Sequence, residues 1–286
     1  MKTPTHPPLS ARASPPARTQ YDVLVEGYPD FLRPAIEVWL YDDVGLSDRE
    51  GRDLVNAFVR DFIVWRRKPL PEHFSVGGSH PAHDLMLTMA ENEEFALDLL
   101  DYAVSTIESV RESLENILRL GGSAYMVDPT GTCGLTKRVP DAAVEELQAA
   151  LEPKTRAAEH LALAWSQLYG RAPNASSAYR EAVRAVEVLA CPVIIPHDPK
   201  GTLGKVVGVL KDAPDKLRTV FTDGKAEGAR TASEMMRLLW HAQHDRHGDP
   251  DVKAPMHVSD EEARGAVHLA VLLVTWFHQQ TLTAAP

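Results

Sequence analysis

Apolar residues recur at helical spacing through most of the chain. In DFLRPAIEVWL, Phe31, Ile36, Trp39 and Leu40 fall on one side of a helix, and REGRDLVNAFVRDFIVW continues the pattern with Leu54, Val55, Phe58, Phe62 and Trp65. A stretch rich in Pro, Gly and His from Lys68 to Pro81 interrupts the period. A second periodic segment runs from about Asp84 to Leu120 and stops at the pair Gly121 and Gly122. SAYMVDPTGTCGLTKRV then reads as two short β-prone runs around Asp128, Pro129 and Gly131, a hairpin that marks a domain edge. After Pro140 the helical period returns in AAVEELQAAL, in AAEHLALAWSQLYG, and in SSAYREAVRAVEVLA between Pro173 and Pro192. In the last of these Tyr179, Val183, Val186 and Ala190 form one stripe, with Arg180, Arg184 and Glu187 off it. TLGKVVGVL and GARTASEMMRLLWHAQH predict two more helices. The final helix is the best marked, because Ser259 stands three residues before Glu262 as a capping box, followed by Ala263, Ala266, Val267, Ala270, Val274 and Phe277.

The pattern predicts a mainly α protein in three parts: a disordered proline-rich arm (1–20), a helical N-terminal domain ending in a β-hairpin (21–140) and a helical bundle (141–286). At 286 residues with 44% apolar residues the chain can build a sizeable core. Its longest apolar run, Ala266 to Phe277, is broken by His268 and is far shorter than the ~20 residues of a membrane span. The first twenty residues hold Lys2, Arg12, Arg18 and five prolines where a signal peptide would have its apolar centre, so a cytoplasmic protein with no membrane association is expected. Cys133 and Cys191 are expected to be free thiols. A formal charge of −10 argues against broad coating of nucleic acid and leaves only local patches to attract phosphate.

The chemistry concentrates in RLLWHAQHDRHGD, where Arg237, His241, His244, Asp245, Arg246, His247 and Asp249 crowd behind an apolar run. If the helix continues, His241 and Asp245 share a face, with Arg237 and His244 nearby and a stop at Gly248. Histidines at a helix C-terminus also serve as solvated caps. His241, His244 and Asp245 offer metal-ligand chemistry, but His-x-x-His-Asp is not the spacing of a strong zinc signature, so no metal and no cofactor are expected. Metal-free RNA cleavage is the sharper reading. There the ribose 2′-hydroxyl is the nucleophile, and the reaction needs a base of near-neutral pKa and a fixed cation for the charge on phosphorus. His247 with Arg246 meets both needs, Arg237 is a second cation, and Asp245 orients an imidazole or holds an arginine.

Other residues carry two readings each. Glu187 in VRAVEVLA is a solvated residue or a polar partner of the cluster, and Lys205 in GTLGK is an exposed lysine or a phosphate contact. Trp39, Trp65, Trp165 and Trp276 are expected in the core, and WRRK from Trp65 to Lys68 as a solvated helix end. No phosphate-loop or dinucleotide glycine pattern occurs.

The stretch from about Ser176 to Gln280, with AYREAVRAVEVLACPVI, TLGKVVGVL, WHAQHDRHG and SDEEARGAVHLAVLLVTWF, resembles the C-terminal domain of abortive-infection-like proteins, members of the HEPN superfamily. YDVLVEGYPDFLRPAIEVWL and the hairpin are similar to the region that precedes this domain in some members. The resemblance implies a bundle of four or five helices, often a homodimer, whose active members are metal-independent ribonucleases acting as toxins or antiviral effectors. It implies RNA, such as tRNA, as substrate and a protein or phage-derived trigger at the N-terminal lobe. In that superfamily an arginine is followed after four to six residues by a histidine near a helix end. Arg237 and His244 satisfy a six-residue gap, whereas seven positions before His247 stands Trp240. Members without the motif act as binding modules, so an inactive domain that binds a nucleotide, RNA or protein is the alternative. In either case His241, Lys205 and Glu187 are the expected RNA or nucleotide contacts.

Overall fold

The computed structural model describes residues 24–47, 52–69, 80–170, 172–221, 227–241 and 258–285. Helices dominate, with two small antiparallel sheets of two strands each among the described residues. The chain divides into two compact units, Met1–Arg138 and Val139–Pro286. The proline-rich arm lies outside the described residues.

The first unit holds α1 (Arg33–Asp42), α2 (Arg52–Arg66), α3 (Pro81–Glu91), α4 (Glu93–Thr106), a 3₁₀ turn (Glu108–Val110), α5 (Arg111–Leu120), β1 (Tyr125–Val127) and β2 (Leu135–Lys137). Its core gathers Ile36, Trp39, Leu40, Val55, Phe62, Leu85, Phe95 and Leu99, and burial of each such side chain contributes about 1.5–3 kcal/mol. The Trp39 indole N–H donates to Ser113 Oγ at 3.0 Å, satisfying the one polar atom this ring brings inside. The periodic segment from Asp84 to Leu120 is not one helix. Asn92 adopts an extended conformation and its side chain accepts the Phe95 N–H at 2.9 Å, so it ends α3 and caps α4 in one residue. Ile107, also extended, makes the second break. Gly122, at φ +63°, follows the end of α5 in the left-handed region that glycine favours.

Three apolar positions of the predicted stripes face outward: Phe31, Leu54 and Trp65 are 59%, 56% and 46% exposed. Trp65 is therefore not core, although its ring meets Tyr102 at 5.4 Å between centroids. The adjoining Arg66 is not solvated either: its guanidinium passes over Phe95 and its Nε donates to Asp98 at 2.8 Å, with only 5% of the side chain exposed.

The hairpin is fastened by charge. Asp128 is buried, and its carboxylate accepts the N–H groups of Thr130, Thr132 and Cys133 at 3.1, 2.9 and 3.0 Å and the Thr130 hydroxyl at 2.6 Å. Arg138 donates to the carbonyls of Ser123 and Tyr125 and to Glu115, which in turn accepts the Val127 N–H. Arg111 donates to the carbonyls of Val104 and Asp128. Gly134 packs so closely on α4 that a Cβ there would stand 2.1 Å from the Asp101 carbonyl oxygen.

The second unit is built on α8 (Ala175–Ile194), which packs against α7 (Arg156–Tyr169), α9 (Leu203–Asp212) and α11 (Asp260–His278). Ala178, Ala182, Ala185 and Ala190 are fully buried on α8, small enough to let neighbouring helices approach, and Tyr179, Val183 and Val186 fill between them. α6 (Asp141–Leu151) packs on α7 and α11, and α10 (Glu227–His241) on α9. β3 (Leu217–Thr219) pairs with β4 (Leu282–Ala284), with Arg218 opposite Thr283. Pro192 does not end α8 as its type suggests. It lacks only the N–H of one bond in the last turn, and the helix still closes with Ile195 N–H to the Cys191 carbonyl at 2.9 Å. The capping box at Ser259 and Glu262 forms with both bonds, at 2.8 and 3.2 Å. Trp165 is fully buried and Trp276 half-buried. None of the described helices is long and apolar enough to cross a membrane.

Candidate functional site

α10 delivers the predicted cluster, and its end is held in two ways. Tyr179 of α8 donates its hydroxyl to the Leu239 carbonyl at 2.8 Å. Gly204 of α9 lies against Trp240, where a Cβ would stand 2.4 Å from the indole ring, so glycine is what lets α9 and α10 close. Arg237 is half-exposed and its Nε donates to Glu234 at 2.6 Å on the same helix. His241 is the last residue of α10. His244, Asp245, Arg246 and His247 lie outside the described residues, as does the side chain of His241.

Glu187 and Lys205 take structural partners. Glu187 is half-buried and its carboxylate accepts the Leu203 N–H at 2.7 Å, which covers an otherwise unpaired donor at the start of α9. Lys205 is exposed and pairs with Asp198 at 2.6 Å while donating to the Lys200 carbonyl. Cys191, between them, is a free thiol, and burial pushes its pKa up to about 11, with the carboxylates of Glu187 and Asp198 adding to the shift. Such a thiol is a poor nucleophile. Cys133 is not in a disulfide either, and its thiol donates to the Leu135 carbonyl.

Two further clusters join residues from different helices. The first links α7 to α8. His160 Nδ1 lies 2.7 Å from Glu181 Oε2, Arg184 Nη1 lies 2.8 Å from Glu181 Oε1, and Arg180 Nε lies 3.7 Å from that same oxygen. A carboxylate only accepts, so Nδ1 carries a proton, and in the neutral ring that tautomer leaves Nε2 with its lone pair. Glu181 is buried, with 11% of its side chain exposed, whereas Arg180 and Arg184 are 49% and 50% exposed. Arg180 also donates to Ser177 Oγ at 3.1 Å. An imidazole with a fixed tautomer beside two guanidiniums is equipped both to accept a proton and to hold an anion.

The second cluster joins α7 to α11. Tyr169 Oη and His268 Nε2 are 2.7 Å apart, and the edge of the His268 ring meets Trp165 at 5.7 Å between centroids. Burial lowers the pKa of His268, the Arg264 charge lowers it further, and burial raises that of Tyr169. This pair is therefore held neutral. His278, near the end of α11, is 3.2 Å from Thr155 Oγ1, and burial lowers its pKa as well. No group of three or more His, Cys, Asp or Glu side chains is placed to hold a metal ion among the described residues.

Sequence reasoning placed Arg180 and Arg184 off the apolar stripe but did not reach His160, Glu181, Tyr169 or His268. The helical period puts Glu181 between the arginines, one and three residues away. The histidine comes from another helix, and only the α7–α8 packing supplies it. Compared with known proteins, the chain matches no family model, no curated protein and no solved structure.

Proposed function

We propose that the second unit is the catalytic part of a metal-independent endoribonuclease, an effector of antiviral or toxin type that works as a cytoplasmic homodimer. One observation supports this above others. Arg237, the arginine at a six-residue gap from His244, stands half-exposed in the last turns of α10, and that helix end is held to the bundle by Tyr179 and Trp240. The chain then leads directly into His244, Asp245, Arg246 and His247. His247 or His244 takes the proton of the ribose 2′-hydroxyl, Arg246 or Arg237 stabilises charge on the phosphorane, and Asp245 orients the imidazole. A trigger acts through the first unit.

The test is incubation of the purified protein with total RNA and tRNA in EDTA. RNA fragments ending in 2′,3′-cyclic phosphate, lost on His247→Ala or His244→Ala, are expected. RNA left intact by the native protein would contradict the proposal. A second reading, an inactive module that binds nucleotide, RNA or protein, draws on the Glu234 carboxylate that already neutralises Arg237. It predicts that the same substitutions weaken dimerisation or ligand binding with no change in RNA ends.

A further inference from the structure

We infer that the surface formed by His160 of α7 with Ser177, Arg180, Glu181 and Arg184 of α8 is a binding site for a phosphate oxyanion, separate from the run that follows α10.

The inference begins with charge. One carboxylate, Glu181, is met by three basic side chains at 2.7, 2.8 and 3.7 Å. An ion pair that merely fastened α7 to α8 would need a single cation. These helices also share an apolar seam, with Ala157, Leu161, Ala164 and Trp165 of α7 and Ala178, Ala182 and Ala185 of α8 fully buried. Two guanidiniums against one carboxylate leave a local excess of one positive charge, in a chain whose formal charge is −10. A positive spot on an acidic surface is where an anion gains most from binding.

Exposure points the same way. The carboxylate is the buried member of the cluster and the guanidiniums are its half-exposed members. Glu181 therefore acts from beneath, positioning cations whose remaining N–H donors are open to an incoming ligand. Arginine carries five donors in a planar fork that matches two phosphate oxygens. Arg184 is bonded to Glu181 through Nη1, and Arg180 to Ser177 through Nη2, which leaves donors on each guanidinium for a second acceptor. Ser177, accepting from Arg180, keeps its own hydroxyl proton to donate. His160, with Nδ1 engaged by Glu181, presents Nε2 with no bond from another described residue. A phosphate oxygen that carries a proton donates it in a hydrogen bond to Nε2.

This arrangement differs from the other ionic groups of the unit. Lys205 and Asp198 form a one-to-one pair, as do Arg237 and Glu234, and neither leaves excess charge. Tyr169 and His268 form a neutral pair. The ligand chemistry that fits the His160 surface is a compact anion with several oxygens. Inorganic phosphate, a nucleoside monophosphate and the backbone of single-stranded RNA all supply it.

The inference does not rest on catalysis by the residues after α10, and its test keeps the two apart. Isothermal titration of the full-length protein at low ionic strength and pH 7 uses three probes: inorganic phosphate, adenosine 5′-monophosphate, and a short RNA oligonucleotide without terminal phosphate. Saturable binding of at least one probe is expected, in the millimolar range for phosphate alone, or about −4 kcal/mol at a Kd near 1 mM. The double substitution Arg180→Gln with Arg184→Gln should weaken binding at least about tenfold, and His160→Gln several-fold, each variant remaining folded by circular dichroism. Preference among the probes names the source: phosphate or the monophosphate for a small ligand, the oligonucleotide for RNA. The loss of affinity caused by Arg180→Gln with Arg184→Gln should be the same in a background carrying His244→Ala and His247→Ala, so failure of the ribonuclease proposal leaves this result standing. Absence of saturable binding by all three probes, or equal affinity in the double variant, would overturn the inference.

Discussion

The most buried arginines of the first unit and the clustered arginines of the second use the same residue type in opposite ways. In the first, Arg66, Arg111 and Arg138 expose 5%, 14% and 11% of their side chains and give their donors to Asp98, Glu115 and main-chain carbonyls. Asp128 gives its carboxylate to the turn that follows it. Each charge is largely buried with at least two partners, which makes it a fastening. In the second unit Arg180, Arg184 and Arg237 stay about half-exposed, each beside a carboxylate but with donors to spare. Exposure of the cations, together with more of them than carboxylates, separates a fastening from a surface able to take up an anion.

The largest effect that would sharpen this contrast lies in the hairpin. Gly134→Ala places a Cβ against the Asp101 main chain, which cannot move aside as a flexible side chain could. A loss of about 3 kcal/mol or more in urea unfolding is expected. Asp128→Ala comes next. It leaves the half-buried N–H groups of Thr130 and Cys133 without their acceptor, while the exposed Thr132 N–H keeps the Thr130 hydroxyl, and should remove about 2 kcal/mol, read by the same method. Arg180→Gln with Arg184→Gln should cost about 1 kcal/mol together, because the guanidiniums are half-exposed although the Glu181 carboxylate they leave is buried and keeps His160. A loss as large as that of Asp128→Ala would erase the distinction between the two units.

The smallest effect is a pH dependence. His268 and His278 have lowered pKa values in the fold, so the unfolded chain binds protons that the folded chain declines. Stability is then unaffected well above 6.5 and falls as pH drops from 6.5 through the lower folded values. His268→Gln should flatten the decline between pH 7 and 5, and an unchanged slope would contradict burial as the cause.

Helix content was legible because burial follows the 3.6-residue period. Ile36, Trp39 and Leu40 of α1, and Tyr179, Val183 and Val186 of α8, were readable as core from spacing alone. Leu54 and Trp65 share that period yet face outward, because periodicity marks a side of a helix and not what covers it, and Phe31 lies in the turn before α1. The break at Asn92 had a local signal, a residue whose side chain competes for helix N–H groups, within a segment whose apolar period runs on across it. Pro192 misled in the other direction, since a proline so near a helix end removes one bond only. Ser259 and Glu262 were legible because both members of the capping box lie within four residues. The pairing of His160 with Glu181 was not, because it joins positions twenty-one residues apart on separate helices.

The central claim is that the second unit breaks RNA with its own side chains, using the ribose hydroxyl as nucleophile. It is tested most directly by single-turnover cleavage in EDTA of an RNA that the protein cuts, beside the same RNA carrying one 2′-deoxyribose on the 5′ side of the cut. The account predicts cleavage of the first with a 2′,3′-cyclic phosphate end, and no cleavage of the second at that position although it binds equally well. Equal cleavage of both, or cleavage of the first that EDTA abolishes, would contradict it.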